Sequence, residues 1–349
     1  MRSSLARERF AWVALAFTAA SAAAADGPQK WLERMNQALT HRNYEGVFVH
    51  RQGGHEETLR IIHRVQDGVI TERLVSLDGS GREFIRTGND LACYLPDQHT
   101  VLVEREPEAS LLLGGLPTID AAGSTFYEIT SLKGTELLGR RTQLIAVSPK
   151  DEYRYGYRLW IDESTAMPLK TQLCDGHGQV IEQVMFASLV MKSRIPDSAF
   201  KPDLSTAGFQ WLRNGSGTAA NPSAPVPWSA SRLPPGFRMS ARAAHVMPGS
   251  DSPVAHLVFT DGIASVSVFV ESHAPGAAQG SQPESAQVGS SSTFSTVIEG
   301  HQVTAVGEVP PQTVRLIVNS VKVDAPPPSA AELPAAAPSL SSSALSLRH

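Results

Sequence analysis

The chain has 349 residues, of which 30 are Lys or Arg and 34 are Asp or Glu, so its formal net charge is −4 at pH 7. Proteins that bind nucleic acids usually carry a strongly basic face, and this charge balance therefore disfavours a nucleic-acid partner. The length is sufficient for two domains of ordinary size.

The first 25 residues have the pattern of a secretory signal peptide. Three arginines lie within the first nine residues, an apolar run covers residues 10–20, and a row of alanines ends at Ala25. The apolar run is too short to span a bilayer as a helix, which favours cleavage near Ala25 and export. Removal of residues 1–25 takes away a net charge of +2 and leaves a mature chain with a net charge of −6.

The mature chain is expected to begin with an amphipathic helix over residues 29–40, where apolar side chains recur at helical spacing. Short turns such as Asp67-Gly68 then separate alternating segments, which is typical of an antiparallel sheet. The predicted strands cover residues 44–51, 57–66, 69–77, 82–87, 90–95 and 99–104, and, after a loop at 106–124, residues 126–132, 135–148, 152–162, 167–174 and 179–192. We therefore expect one large, curved antiparallel sheet with the helix against its concave side.

Residues 153–161 show the strongest alternation in this part of the chain. The odd-numbered positions hold Tyr, Leu and Ile, whereas the even-numbered positions include Arg154, Arg158 and Trp160. This period of two predicts a strand whose odd-numbered face is buried, and it assigns Arg154 to the opposite face.

A second, smaller domain is expected to follow the first domain, which covers residues 26–213. Residues 214–227 are rich in Gly, Ser, Pro and Ala, as in a linker. Residues 228–324 form the predicted second domain, and the Pro- and Ala-rich tail at 325–349 is expected to be disordered. Its predicted strands cover 237–246, 254–260, 263–271, 293–299 and 302–308, a soft loop covers 275–292, and a helix starts at Pro310-Pro311 with Val314, Ile317, Val318 and Val321 on one stripe.

Arginines on two predicted strands are candidates for binding an anionic group. Arg60 and Arg64 share one strand face, as do Arg82 and Arg86, and the guanidinium group suits phosphate and carboxylate. A lipid head group or an acidic peptide would suit these rows. The alternative is a mixed, solvated outer face, because residues 31–132 contain nine Arg but also 15 acidic residues.

A concave sheet with an apolar inner face could hold a fatty chain. The candidates for lining such a lipid cavity are Trp31, Met35, Phe48, Leu59, Ile61, Val65, Tyr155, Tyr157 and Met185. Each of them fits an ordinary packed core equally well, and only an open cavity would distinguish the two.

Catalytic and metal-binding patterns do not stand out in the sequence. The histidines at 50, 55, 63 and 99 have no short ligand spacing, and Ser80 lacks the residues that flank a nucleophile elbow. We therefore predict a binding protein without catalytic residues, metal or cofactor.

Cys93 and Cys174 are the two cysteines of an exported chain, so a disulfide between them is a candidate. A bridge would close a loop of roughly 80 residues and stabilise the fold by about 4–5 kcal/mol in the chain-entropy model. The alternative is two thiols that lie too far apart to meet, and the periodicity of the flanking residues leaves both open.

Several long sequence segments, which follow one another in the same order as in a known family, carry a resemblance to that family. They are NYEGVFVH (43–50), LVSLDGSGREFIR (74–86), YRYGYRLWID (153–162), MPLKTQL (167–173), IEQVMFASL (181–189), LPPGFRM (233–239), DSPVAHLVFTDGIASVSVFVE (251–271) and TFSTVIEGHQVTAVGEVP (293–310). They resemble the RseB/MucB family, the periplasmic negative regulators of the envelope-stress sigma factor, from about Trp31 to Val323.

The resemblance implies an α+β, mainly antiparallel fold, with a large half-barrel similar to LolA and LolB joined to a smaller C-terminal domain. It also implies a soluble periplasmic protein that binds the periplasmic part of an RseA/MucA-like anti-sigma factor and shields it from a site-1 protease. Lipopolysaccharide or lipoprotein acyl chains would release that partner, and a homodimer is a further expectation. The alternative function is a periplasmic lipid or lipoprotein carrier, against which the second domain argues, because simple carriers of this shape need none.

Overall fold

The computed structural model describes residues 27–105, 125–214, 226–246, 253–272 and 282–324. The predicted signal peptide, the loop at 106–124, most of the linker and the C-terminal tail lie outside the described residues. Within the described ranges, no helix has both the length and the apolar character needed to cross a membrane.

The first domain is built on a large sheet with one helix, α1 (Pro28–His41). Its strands are β1 (Tyr44–Gln52), β2 (His55–Gln66), β3 (Val69–Ser76), β4 (Glu83–Thr87), β5 (Asp90–Leu95), β6 (Thr100–Arg105), β7 (Tyr127–Leu132), β8 (Glu136–Leu137), β9 (Arg140–Pro149), β10 (Gly156–Asp162), β11 (Pro168–Cys174), β12 (Val180–Met191) and β13 (Gln210–Asn214). The strand order is β13-β6-β5-β4-β3-β2-β1-β12-β11-β10-β9-β7, and β8 pairs with β9. All of these pairs are antiparallel except β13 with β6.

Helix α1 covers the apolar inner face of the sheet. Pro28 lies at the start of the helix, where its missing N–H group removes no hydrogen bond. The helix buries five side chains at helical spacing: Trp31, Leu32, Met35, Ala38 and Leu39. It packs on β7 and β9, and these side chains join inward residues of the sheet in one core. Burial of such side chains stabilises a fold by about 1.5–3 kcal/mol each.

The chain between β12 and β13 crosses the opposite face of the sheet. A short 3-10 helix, Asp197–Phe200, lies there against two arginines from neighbouring strands. The Nη1 atom of Arg64 is 2.6 Å from Asp197 Oδ1, and Nη1 of Arg73 donates to the Ala199 carbonyl at 3.2 Å. These contacts lead the chain to β13, a strand that sequence periodicity did not predict.

The second domain contains an antiparallel sheet of six strands, one helix and a strand pair. The strands are β14 (Trp228–Ala230), β15 (Arg238–Val246), β16 (Pro253–Thr260), β17 (Ser265–Ser272), β18 (Glu284–Val288), β19 (Ser291–Ile298), β20 (His301–Gly307) and β21 (Val321–Val323), and the helix is α2 (Pro311–Val318). The sheet order is β15-β16-β17-β20-β19-β18, and β14 pairs with β21. Helix α2 packs on β19 and β20 and places Val314, Ile317 and Val318 in the core.

The predicted fold class, an α+β protein with a large antiparallel sheet, a covering helix and a smaller second domain, is confirmed. Four local predictions were wrong. The segment at 135–148 is divided by a turn with Leu138 and Gly139 at positive φ, and strand β10 begins only at Gly156. Part of the predicted soft loop forms β18, and Val321 lies in β21 instead of on the helix.

Candidate functional site between the two domains

The contact between the two domains centres on the side chain of Arg154. This residue lies in the turn before β10, and its side chain is fully buried. Its Nε donates to Asp151 Oδ1 at 2.9 Å, within the same domain. Its Nη1 donates to Asp261 Oδ2 at 2.7 Å and its Nη2 to the Pro235 carbonyl at 2.6 Å, both in the second domain. All three nitrogens of the guanidinium group are therefore satisfied.

Asp261 is held by its own hairpin so that one oxygen faces the first domain. It follows β16 in the Asp261-Gly262 turn, and its Oδ1 accepts the backbone N–H groups of Ile263 at 2.9 Å and Ala264 at 2.8 Å. The other oxygen, Oδ2, accepts the hydroxyl of Tyr127 at 3.1 Å as well as the guanidinium of Arg154. Burial, together with the nearby Asp261 charge, raises the pKa of Tyr127 and keeps this phenol protonated.

Aromatic rings from both domains enclose the guanidinium group. The Cζ atom of Arg154 lies 4.9 Å from the ring centroid of Phe126 and 5.4 Å from those of Tyr127 and Phe237. The Phe126 ring packs directly on the backbone of Gly236, where an added Cβ would come within 2.2 Å of the ring. The interface thus excludes water around a cation, which strengthens its interactions with the rings and the carboxylate.

A second contact joins the β1–β2 hairpin and β12 to the turn between β18 and β19. The amide of Gln52 donates to Ser290 Oγ at 2.8 Å and to Glu182 Oε2 at 2.9 Å. Ser290 Oγ also lies 2.7 Å from Glu182 Oε2 and 3.3 Å from Glu308 Oε1. The Gln52 side chain runs close under Gly289, where an added Cβ would lie 2.2 Å from its Cδ.

The titratable groups of this second contact have shifted pKa values. A hydrogen bond from His50 Nε2 to Glu182 Oε1, 3.0 Å long, raises the pKa of His50. Burial alone would raise the pKa of Glu182, but hydrogen bonds from His50 and Ser290 lower it overall. Burial and the facing charge of Glu182 raise the pKa of Glu308.

A third contact lies at the start of helix α2. Thr313 Oγ1 donates to the Tyr153 carbonyl at 2.7 Å, and Gln312 Nε2 donates to the Glu152 carbonyl at 2.5 Å. These carbonyls belong to the turn that holds Arg154. The same turn of the first domain thus contacts the β16–β17 hairpin and helix α2, which sets the relative orientation of the domains.

Most candidates for a lipid cavity lie in the packed core beneath α1. Seven of the nine are buried there: Trp31, Met35, Phe48, Leu59, Ile61, Tyr155 and Tyr157. Val65 is half-buried and lines a surface cleft of about 360 Å³ beside His41 and Met191. Met185 precedes the buried Phe186 on β12 and pairs with Val49, so alternation places it on the face opposite to the core. The lipid-binding role of the inward residues stays a prediction.

The four candidate arginines for an anionic ligand all pair with carboxylates of this chain. Nη2 of Arg60 is 2.5 Å from Glu45, Nη1 of Arg64 is 2.6 Å from Asp197, Nη2 of Arg82 is 2.7 Å from Glu57, and Nη1 of Arg86 is 3.4 Å from Glu72. The partners lie on other strands or, for Arg64, on the 3-10 helix Asp197–Phe200, and spacing along one strand does not reveal them. An external anion would have to compete with them.

The candidate disulfide between Cys93 and Cys174 is not formed, and both residues are buried thiols. Cys93 lies on β5 and Cys174 on β11, which are six strands apart in the sheet order. At about 4.8 Å per strand this is about 29 Å along the sheet, whereas a disulfide needs Cα atoms within about 7 Å. Of the two alternatives that the sequence left open, the structure has the separate thiols, because number and compartment alone carry no information on distance.

The histidines at 50, 55, 63 and 99 lie in separate environments. His63 is buried, its Nδ1 donates to the Arg42 carbonyl at 2.8 Å, and its ring stacks on Tyr44 with centroids 4.6 Å apart. His55 and His99 are exposed, and His50 belongs to the domain contact. Within the part of the chain that the structure describes, no three His, Cys, Asp or Glu side chains form a metal-binding group.

Sequence reasoning missed the residues that join the domains. Alternation assigned Arg154 to an outer strand face, but the residue precedes the strand and is fully buried. Asp261 precedes a glycine, a pair typical of a hairpin turn, and this pattern does not indicate a partner in the other domain. The two are 107 positions apart, and no local pattern links positions at such a distance.

Comparisons with known proteins match both parts of the chain. The family model of the MucB/RseB N-terminal domain matches residues 27–204, and that of the MucB/RseB C-terminal domain matches residues 222–322. The chain belongs to the MucB/RseB family. Its members are regulatory binding proteins, in agreement with the resemblance found in the sequence blocks.

Two curated MucB/RseB proteins match over most of their length. The sigma factor AlgU regulatory protein MucB of Pseudomonas aeruginosa is 30% identical over 298 residues, which cover 84% of this chain and 90% of that protein. The sigma-E factor regulatory protein RseB of Salmonella typhimurium is 28% identical over 325 residues, which cover 89% of this chain and 97% of that protein. Both names describe regulators of sigma factors.

Two solved structures of MucB with a bound partner share the fold. The complex of Pseudomonas aeruginosa MucA and MucB matches with a TM-score of 0.65 and 28% identity, over 86% of this chain and 99% of that chain. A structure of MucB in complex with MucA(peri) matches with a TM-score of 0.66 and 27% identity, over 86% and 100% respectively. The MucB/RseB fold in these structures thus binds a separate chain.

Proposed function

We propose that this protein is a periplasmic regulator that binds the periplasmic part of a MucA- or RseA-like anti-sigma factor and so represses an envelope-stress sigma factor. The observation that carries the proposal is that the chain matches both domains of MucB proteins solved in complex with MucA. A carrier of lipids or lipoproteins would need the first domain only.

Shielding of the partner from a site-1 protease follows if the bound segment is the one that the protease cleaves. The three contacts between the domains support a single docked orientation, in which surfaces of both domains could bind one extended partner. A lipid signal would release the partner only to the extent that lipid and partner prefer different states of the regulator. Lipopolysaccharide and lipoprotein acyl chains are the proposed signals.

The proposed lipid site lies between α1 and the inner face of the large sheet. Seven of its candidate residues pack against one another in the core. Entry of an acyl chain therefore requires α1 to move away from the sheet and expose Trp31 and Met35. Such opening is the proposed route by which lipid binding would alter the first domain and, through the turn that holds Arg154, its contact with the second.

Partner binding is tested by isothermal titration calorimetry with the mature chain and the periplasmic segment of the anti-sigma factor from the same organism. We expect a Kd in the micromolar range or tighter, and no heat with a scrambled segment of equal composition. Absence of binding, combined with stoichiometric lipid extraction from vesicles, would contradict the regulator and favour the carrier.

Shielding and release are tested by following cleavage of the same segment by a site-1 protease. We expect cleavage to slow in proportion to the bound fraction. Addition of lipopolysaccharide, of a triacylated peptide, or of phospholipid vesicles then separates the proposed signals. A variant with linker residues 214–227 shortened by half is expected to bind the partner but to respond less to lipid, and an unchanged response would refute coupling through the linker.

A further inference from the structure

Two carboxylates from different domains share one hydroxyl group. Glu182 lies on β12 of the first domain, and Glu308 follows β20 of the second. Ser290 Oγ is 2.7 Å from Glu182 Oε2 and 3.3 Å from Glu308 Oε1. A serine hydroxyl carries one proton, so it can donate to only one of the two carboxylates at a time.

The two carboxylates differ in the number of other hydrogen-bond donors that they contact. Glu182 also accepts hydrogen bonds from His50 at 3.0 Å and from Gln52 at 2.9 Å. Among the described residues, Ser290 is the hydrogen-bond partner of the half-buried Glu308. When both carboxylates are charged, two like charges therefore face each other across the domain interface and Glu308 is the less stabilised of the two.

We propose that Glu182 and Glu308 form a proton-sensitive latch between the two domains, in which a proton on Glu308 favours the docked arrangement. A protonated Glu308 presents an O–H donor to Ser290 Oγ, which leaves the serine proton for Glu182, and it removes the repulsion. An ionised Glu308 restores the repulsion and favours separation. The latch concerns the docking of the domains, so it does not depend on the identity of any bound partner.

The direction of the pH dependence follows from linkage. Separation would return Glu308 to water and to its ordinary pKa of about 4.3, whereas docking raises its pKa through burial and the charge of Glu182. Docking therefore takes up a proton. The stabilisation is fully present below the ordinary pKa and is lost as pH rises through the raised value.

Other titratable groups at this contact change the size of the pH dependence but not its sign between the ordinary and the raised pKa of Glu308. His50 has a raised pKa chiefly through Glu182 of its own domain, with smaller contributions from Glu57 and Glu308, so most of its shift persists when the domains separate. Its positive charge lowers the pKa of Glu308 and so offsets part of the rise caused by burial and by Glu182. The pKa of Glu182 is lowered, which opposes docking only under more acidic conditions, below the ordinary range of a carboxyl group. Tyr155 and Tyr157 have raised pKa values through burial and stay neutral.

Docking can be followed by fluorescence energy transfer between dyes on cysteines introduced at the exposed positions Gln98 and Lys322. The native cysteines are buried, which directs labelling to the introduced ones. We expect the wild-type ratio of docked to separated molecules to fall by up to about tenfold per pH unit between the ordinary and the raised pKa of Glu308. E308Q removes this dependence, whereas E271Q, an exposed carboxylate of the second domain, retains it.

A second measurement covers the case in which the other contacts keep the domains docked at every pH. Carboxyl carbon NMR of Glu308 gives its pKa in wild type and in E182Q, which removes the facing charge. We expect a raised pKa in wild type and a smaller rise in E182Q, because the variant loses the facing charge of Glu182 but keeps the burial of Glu308. An ordinary pKa in wild type, or the same raised pKa in both proteins, would overturn the latch, and neither outcome bears on anti-sigma factor binding.

Discussion

The guanidinium of Arg154 and the carboxylate of Asp261 meet at 2.7 Å across the two domains, and neither side chain is exposed to solvent. Removing two charges from water is costly, and such a pair repays that cost only when its geometry and remaining hydrogen bonds are good. Here Asp151 and Pro235 accept from the other nitrogens of Arg154. The oxygens of Asp261 also accept the Tyr127 hydroxyl and two backbone N–H groups of its own hairpin. The pair therefore contributes more to specifying one docked orientation of the domains than to the free energy of unfolding.

Removing one member of this pair is expected to separate the domains. R154M leaves Asp261 buried without its cation, and loss of one partner of a buried pair costs about 3–5 kcal/mol. Differential scanning calorimetry should then show two transitions in place of a single coupled one. D261N keeps an acceptor oxygen for the hairpin, and the double variant R154M/D261N should recover part of the loss because no unpaired charge remains.

The matched control for this prediction is R141M. Arg141 pairs with Glu163 at 3.4 Å but is 85% exposed, and exposed pairs contribute about 0–1 kcal/mol. We expect its melting profile to match that of wild type. If R154M also kept the wild-type profile, the ion pair would have no part in docking.

Close approach of the domains at Gly289 predicts sensitivity to a single methyl group. G289A places a Cβ 2.2 Å from Gln52 Cδ, in addition to the strain of a φ near +59°. G300A is the control, because Gly300 has a φ of +76° in another hairpin but no atom within 4 Å of the added Cβ. Both variants should lose about 1–2 kcal/mol through backbone strain, and only G289A should also weaken docking.

The double variant G289A/Q52A distinguishes a steric effect from a backbone effect. Truncation of Gln52 removes the atoms that the new methyl group meets, although it also removes two hydrogen bonds to Ser290 and Glu182. If the clash causes the loss, adding G289A to Q52A should change docking far less than adding it to wild type. Equal additional losses in both backgrounds would argue for backbone strain alone.

His63 predicts a loss of stability in mild acid. Burial lowers its pKa below the usual value of about 6.5, with a further contribution from Arg86, while Glu72 opposes the shift. The unfolded chain then takes up a proton that the folded protein does not. The resulting stability is present above pH 6.5 and falls by up to about 1.4 kcal/mol per pH unit as pH drops towards the lowered pKa.

Urea unfolding of wild type and H63N between pH 5 and pH 8 measures this contribution. The difference in free energy of unfolding between the two proteins should shrink towards acid, because H63N has no group to titrate at this position. H55N, at an exposed position of β2, should run parallel to wild type. Parallel curves for wild type and H63N would contradict the role assigned to burial.

The thiol state of the cysteines gives a further prediction. Cys93 and Cys174 are buried, and burial raises the pKa of Cys174, so both should react with a thiol reagent only after unfolding. A reducing agent should leave the melting temperature unchanged. If the denatured protein lacked two reactive thiols and reduction lowered its melting temperature, the result would show that Cys93 and Cys174 do form a disulfide.

The local elements were largely predictable because their signals are local. Helical spacing from Trp31 to Leu39 agrees with α1, and turn residues such as Asp67-Gly68 lie at the hairpins between strands. Strand β13 escaped prediction because it pairs with β6, more than a hundred positions away, and has no alternating burial of its own. The two pairs of arginines were predicted from the spacing along single strands, and their carboxylate partners lie on other strands or on the 3-10 helix Asp197–Phe200.

The sequence by itself determined the α+β character, the two sheets and the family. Periodicity, turn residues and the long sequence blocks are all properties of short, continuous segments of the chain. Only the tertiary structure decided how the domains meet. The contacts of Arg154 with Asp261 and of Glu182 with Ser290 join positions more than a hundred residues apart, and they depend on burial and on separations in space. A charged side chain that its sequence neighbours would place in solvent is buried and paired when two folded domains exclude water around it.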